Sequence, residues 1–189
     1  MERILYYSIE FKYDDMIKLI QSSLPDITFF IKKDDKIELY DGSVFELEPA
    51  TLSLASHIEK LKNNDVFIIY NKSLYVLNPE FHITTLFTGG KPHEHTAEME
   101  TLVNSEVIVK INKIALSSNF IVFGVETIQF EDDSDIPYYG NPIKHITIAL
   151  NKSGKRVFPK DSYTALTDID ALRIIELNLT IQGKCSKVK

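Results

Sequence analysis

The chain has 189 residues, 44% of them apolar, a formal net charge of −6 and one cysteine. That length and apolar content allow one sizeable core, while the acidic balance argues against the broad basic surface that grips long duplexes through many phosphates. A lone Cys185 rules out an intrachain disulfide and any metal site built of several thiolates. The opening Met1-Glu2-Arg3-Ile4-Leu5-Tyr6-Tyr7 lacks the apolar core of a signal peptide. No stretch approaches the about 18 consecutive apolar residues of a membrane helix. A protein in solution is therefore expected, cytoplasmic or nuclear, with no membrane partner.

In chain order, Ile4 to Phe11 is rich in β-branched and aromatic residues and predicts a strand. Asp14 and Asp15 then precede Met16, Ile17, Leu19 and Ile20 at helical spacing, with Pro25 past the helix end. Ile27 to Ile31 and Lys36 to Tyr40 predict a hairpin around Lys33-Asp34-Asp35, and Asp41-Gly42 a turn before a further strand from Val44 to Leu47. Leu54, Ala55, Ile58 and Leu61 line one face of a helix spanning Thr51 to Leu61, ended by Asn63-Asn64-Asp65. Val66 to Tyr70 and Ser73 to Leu77 form a second hairpin closed by Asn71-Lys72, and Pro79 breaks the chain after it.

A strand from about Phe81 to Phe87 follows, stopping at Gly89-Gly90, and then a helix from Thr96 to Val103 with Met99, Leu102 and Val103 inward and Glu98 and Glu100 outward. Val107 to Leu116 and Phe120 to Phe130 predict an antiparallel pair joined at Ser117-Ser118-Asn119. The acidic stretch from Glu131 to Asn141, with Pro137 and Gly140, is a loop that leads to a strand beginning at His145. Asn151 to Arg156 is the most basic segment, Asp168 to Leu172 a short helical turn capped by Thr167, and Ile174 to Gln182 a last strand, with Lys184 to Lys189 frayed. This order predicts a single α+β domain, residues 1–189, with mainly antiparallel strands.

Two of these strands share a pattern. His82-Ile83-Thr84-Thr85 and His145-Ile146-Thr147-Ile148 each read His, apolar, Thr, β-former. Because successive side chains in a strand point to opposite faces, His82 and Thr84 share one face, as do His145 and Thr147. Set side by side, the two strands would offer two imidazoles and two hydroxyls, a constellation suited to acid–base chemistry on an oxyanion.

The paired motifs resemble those of the 2H phosphoesterases, named for two His-apolar-Thr/Ser-apolar motifs on strands of two pseudo-symmetric lobes. Within that family the chain looks most like the myelin 2′,3′-cyclic-nucleotide phosphodiesterase and the cyclic phosphodiesterase domains of tRNA ligases. The doubled Thr84-Thr85, the following Phe87, Gly90-Lys91, and the helix and strand pair before the second motif carry the likeness. It covers Phe81 to Leu150, loosely the opening strand and helix and the closing strand, and leaves residues 22–66 unassigned.

The resemblance implies a bilobal α+β fold with two mainly antiparallel sheets facing a central cleft, flanked by helices. It implies a hydrolase that needs no cofactor and no metal and opens 2′,3′-cyclic phosphates, on an RNA 3′ end or a nucleotide, to 2′-phosphates. By the same likeness His145 is the base that activates water, His82 the acid for the 3′ oxygen, and Thr84 and Thr147 the phosphate clamps. Thr85 and Phe87 are substrate-binding positions. For Phe87 two readings stand, a platform for a nucleobase or a core side chain at the strand end. Where the myelin enzyme has an arginine two residues before its second histidine, this chain has Ile143. Two other functions fit the same motifs: cleavage of 2′-5′-linked oligoadenylate or a cyclic oligonucleotide, and a binding module for RNA ends or nucleotides without turnover.

Other features carry less. Pro92-His93-Glu94-His95 lacks further Cys or His partners and reads as a solvated turn rather than a metal site. His57 belongs to a helix surface. Gly89-Gly90-Lys91 lacks the spacing and the Ser/Thr of a nucleotide-triphosphate loop. Lys152, Lys155 and Arg156 suit a solvated turn better than an RNA contact, and Asp132, Asp133 and Asp135 a solvated acidic loop.

Overall fold

The computed structural model describes residues 3–42, 49–168 and 171–189, the side chains of 49–51 excepted. The chain begins with β1 (Tyr6–Glu10) and α1 (Tyr13–Ser23), whose Met16, Ile17 and Ile20 are buried. The hairpins follow as β2 (Phe29–Lys33) with β3 (Lys36–Leu39), and β4 (Val66–Tyr70) with β5 (Ser73–Leu77). Asn71 and Lys72 between the latter two both have positive φ, at 48° and 61°, the backbone of a two-residue turn whose twist matches its strands. The expected helix from Thr51 to Leu61 is a 3-10 segment, Pro49–Leu54, that becomes the short α2 (Ala55–Glu59). The strand expected from Val44 to Leu47 lies outside the described residues.

Next come β6 (His82–Phe87), α3 (Thr96–Leu102), β7 (Glu106–Leu116), β8 (Phe120–Gln129) and β9 (His145–Asn151). A short α4 (Thr164–Thr167) precedes β10 (Arg173–Val188). Thr167 closes that helix and Asp168 follows it in extended conformation; residues 169 and 170 of the turn expected from Asp168 to Leu172 lie outside the described residues. Lys184 to Val188 are not frayed: they pair with Glu10 to Tyr6 of β1, so the end of the chain is the interior partner of the first strand. Glu100, expected outward, accepts hydrogen bonds from the Tyr7 hydroxyl (2.7 Å) and from Lys187 (2.9 Å).

The expected bilobal, two-sheet α+β arrangement is not what forms. All ten strands belong to one antiparallel sheet in the order β3-β2-β4-β5-β9-β8-β7-β10-β1-β6, with four short α-helices among the described residues. Two junctions make it continuous. β5 pairs with β9 through Tyr75, Val76 and Leu77 opposite Asn151, Leu150 and Ala149, and the long β10 bridges β7 to β1. Each junction satisfies backbone groups that would otherwise be left at a sheet edge.

β6 is an edge strand and β9 lies far along the sheet, yet the two approach within 8 Å between Cα atoms. Sheet twist, accumulated over the strands between them, brings the edge back over β9. Ile83 and Ile146, next to the histidines, point the other way into the same core cluster as Ile9, Ile111, Ile114 and Phe123, and are at most 1% exposed. Burying each contributes about 1.5–3 kcal/mol. A register slip of one residue would put them in the cavity and the histidines in the core, so these isoleucines hold the histidine face outward.

Candidate active site

A cavity of about 770 Å³ opens between β6 and β9, and His82, Thr84, His145 and Thr147 all line it. Each of the four is half-buried while its odd- or even-numbered neighbour Ile83 or Ile146 is fully buried, as a period of two requires.

Both strands carry the same irregularity. On β6, Tyr7 lies opposite Leu86 and Ser8 opposite Thr84, so Thr85 has no partner on β1. On β9, Ile121 lies opposite Ala149 and Val122 opposite Thr147, so Ile148 has no partner on β8. In each copy the residue after the motif threonine is therefore a bulge. Each bulged carbonyl takes a hydrogen bond from the other side: Tyr139 N–H donates to Thr85 (2.8 Å) and Asn78 N–H to Ile148 (2.9 Å). Tyr139 and Asn78 both line the cavity.

The bulge separates the two readings of Phe87. Without it, Phe87 would share the core-facing side of Ile83. The extra residue reverses the alternation, so Leu86 packs with Tyr7 and Met99, and Phe87 stands 68% exposed at the cavity. Thr85 is not brought to the cavity. Its side chain is 1% exposed and its buried Oγ1 has no hydrogen-bond partner among the described residues.

The loop before β9 ties the two motif strands together. Besides the Tyr139 bond, Gly140 packs on β6 so tightly that a β-carbon there would overlap the carbonyl oxygen of Thr84. Tyr138 donates to the carbonyl of Asn141 (2.7 Å), and burial pushes its phenol up to about 12, so it remains protonated at neutral pH.

No family model matches this chain, and no curated protein sequence does.

The two imidazoles sit in different electrostatic settings. His145 Nδ1–H donates to the carbonyl of Ile143 at 2.7 Å; a carbonyl can only accept, so Nδ1 carries the proton and Nε2 of the neutral ring keeps its lone pair. Burial lowers the pKa of His145, and the Ile143 bond opposes that in part. His82 stacks on Tyr6, with ring centroids 5.6 Å apart. Burial lowers its pKa too; the Glu80 and Glu10 carboxylates pull it back up and His145 pushes it down. The arrangement can thus hold one ring neutral while the other is charged, since a proton on His145 disfavours one on His82.

Thr147 Oγ1 lies 2.5 Å from Ser162 Oγ, a serine with no exposed surface. If Ser162 donates, the Thr147 proton is free for a ligand oxygen.

Several cavity residues are absent from the sequence-based set. Lys160 supplies a cation from a 3-10 turn, Pro159–Asp161, after the basic segment, and Asn78 sits between the strands with its amide on the carbonyl of Thr147 (3.2 Å). The His93-Glu94-His95 segment, read as a solvated turn, forms part of the wall. The His95 ring stacks on Tyr139 with centroids 3.7 Å apart and planes within 5°, and Tyr139 donates to Glu98 at 2.5 Å. For the tyrosine wall the available signal is Tyr138-Tyr139-Gly140-Asn141, an aromatic pair beside a glycine a few residues before the second motif. Among the described residues no group of three or more His, Cys, Asp or Glu could hold a metal ion, and no helix is long and apolar enough to cross a membrane.

Proposed function

We propose that the chain is a phosphodiesterase of the 2H type that hydrolyses 2′,3′-cyclic phosphates, carried by an RNA 3′ end or a nucleotide, to 2′-phosphates. The observation that carries this reading is the convergence of two His-Thr pairs on one cavity, with the histidines in unlike settings.

His145 Nε2 takes a proton from a water molecule as the water oxygen bonds to phosphorus. The bond from phosphorus to the ribose 3′ oxygen breaks, and protonated His82 gives that oxygen its proton. The ring then carries a 3′ hydroxyl and a 2′-phosphate. Each proton moves through an imidazole, so no metal is needed for these steps. The hydroxyls of Thr84 and Thr147 hold the non-bridging oxygens where negative charge grows, and Lys160 adds a positive charge to the same cavity. Phe87 offers an exposed ring for the base.

The test is incubation with 2′,3′-cyclic AMP in EDTA, with products separated by chromatography. Formation of 2′-AMP is expected. Loss of all turnover in EDTA overturns the metal-free route, and 3′-AMP as product reverses the roles of the two histidines. Cleavage of 2′-5′ oligoadenylate without turnover of the cyclic nucleotide would replace the substrate and keep the site.

A further inference from the structure

A second groove, of about 660 Å³, adjoins the histidine cavity and shares Asn78 and Pro159 with it. Its lining includes Lys62, Lys152, Lys155 and Arg156 against a single carboxylate, Asp65. That carboxylate already accepts the backbone N–H of Lys62 at 2.8 Å. In a chain of net charge −6, this concentration of positive charge beside the cavity is a local feature that the whole-chain balance hides.

The segment bearing it is held in place. Asn151, 7% exposed, donates to the carbonyl of Ser118 (2.7 Å) and accepts from Ser153 N–H and Oγ–H (both 2.8 Å). Ser153 Oγ in turn accepts from Leu74 N–H (2.9 Å), and Lys152 N–H donates to the Leu74 carbonyl (2.8 Å). Beyond it Phe158 stands 47% exposed, with the Arg156 guanidinium 5.1 Å from its ring centroid. The same segment then delivers Lys160 to the histidine cavity. Cations along a groove, interleaved with an exposed aromatic ring, match a single strand of nucleic acid, whose phosphates follow the charge while a base stacks.

We propose that this groove binds the nucleotides upstream of the reacting terminus, so that the preferred substrate is a single-stranded oligoribonucleotide rather than a free nucleotide. The chemistry at the terminus rests on the phosphodiesterase reading above; the groove does not. Upstream phosphates lie along Lys62, Lys152, Lys155 and Arg156, a base lies against Phe158, and the chain passes Asn78 and Pro159 into the cavity.

Two measurements test it separately from the catalytic reading. In the first, anisotropy of a 5′-labelled short oligoribonucleotide ending in a 2′,3′-cyclic phosphate is titrated with the His145→Ala protein, which leaves the probe intact, with and without Lys152→Ala, Lys155→Ala and Arg156→Ala together. The triple change is expected to weaken binding at least tenfold, and to reduce the slope of log Kd against log salt by about 2, at roughly 0.7 per phosphate contact on a single strand. Binding unchanged by the triple variant overturns the proposal, as does equal affinity for a duplex of the same length or for 2′,3′-cyclic AMP. In the second, the ratio of kcat/KM for the oligonucleotide to that for 2′,3′-cyclic AMP is expected to fall about tenfold in the triple variant of the otherwise unaltered protein; an unchanged ratio overturns it. If neither substrate turns over, the catalytic reading fails while the anisotropy result still decides the groove.

Discussion

The Nδ1–H of His145 donates to the carbonyl oxygen of Ile143 at 2.7 Å, which leaves Nε2 as the only basic nitrogen of the neutral ring. Among the described residues the His82 ring makes no such bond, and it instead feels the carboxylates of Glu80 and Glu10. This asymmetry leaves His145 with a free basic nitrogen for the proton abstraction proposed for the site.

The pH profile of kcat/KM follows from it. The base must be neutral and the acid protonated, and both pKa values are lowered from the usual 6.5, chiefly by burial. The alkaline limb, set by loss of the His82 proton, should therefore lie below pH 6.5. Because Glu80 favours the charged ring, Glu80→Gln should move that limb to still lower pH. A shift upward would remove His82 as the acid. Either His82→Ala or His145→Ala should lower kcat about 10²–10⁴-fold.

The same shifts link pH to stability. An unfolded chain binds protons on these imidazoles from pH 6.5 downward, before the folded chain does, so their contribution to stability is complete above 6.5 and falls as pH drops towards the folded values. Urea unfolding at pH 7.5 and 5.5 should show this loss, and the double variant His82→Gln, His145→Gln should show less of it. An equal loss in the double variant would place the effect elsewhere.

Thr85→Val tests the corrected position of Thr85. The replacement keeps the shape and removes a buried hydroxyl that has no partner among the described residues, so the free energy of unfolding should rise by about 1 kcal/mol. KM for the cyclic nucleotide should stay as it is. A raised KM would return Thr85 to the substrate.

Phe87→Ala should do the reverse. With the ring 68% exposed, stability should stay within about 0.5 kcal/mol. KM should rise about tenfold, in line with the roughly 1–3 kcal/mol of base stacking on an aromatic ring. An unchanged KM would leave the ring without a role in binding.

Gly140→Ala probes the loop that joins the motif strands. The added carbon would overlap both the Thr84 carbonyl oxygen and the Tyr138 phenol, so both must shift, an overpacking that costs about 1–3 kcal/mol. A lowered midpoint of thermal unfolding, together with reduced kcat, is the expected result. An unchanged midpoint would mean that the loop gives way freely.

Much of the local structure was legible. The hairpin at Asn71-Lys72, α1 with its Asp14-Asp15 start and the alternation of both motif strands follow from spacing and turn residues alone. Other elements depended on distant partners. Lys184 to Val188 looks like a polar tail until Tyr6 to Glu10 pairs with it. His95 looks solvated until Tyr139 stacks on it, and Lys155 looks like part of a turn until Asn151 holds that turn at the edge of a groove.

The amino-acid order by itself determined which residues alternate. His82 and Thr84 oppose Ile83, and His145 and Thr147 oppose Ile146, because a period of two is a property of one strand and needs no neighbour. Only the tertiary structure decided that the two histidine faces share a cavity, that one continuous sheet replaces the expected pair, and that Phe87 leaves the face of Ile83 and Thr85 and turns outward. The physical reason is that sheet order and bulges depend on hydrogen bonds to other strands. Thr85 becomes the extra residue only because β1 offers no residue to pair with it, and periodicity within β6 carries no record of its partner.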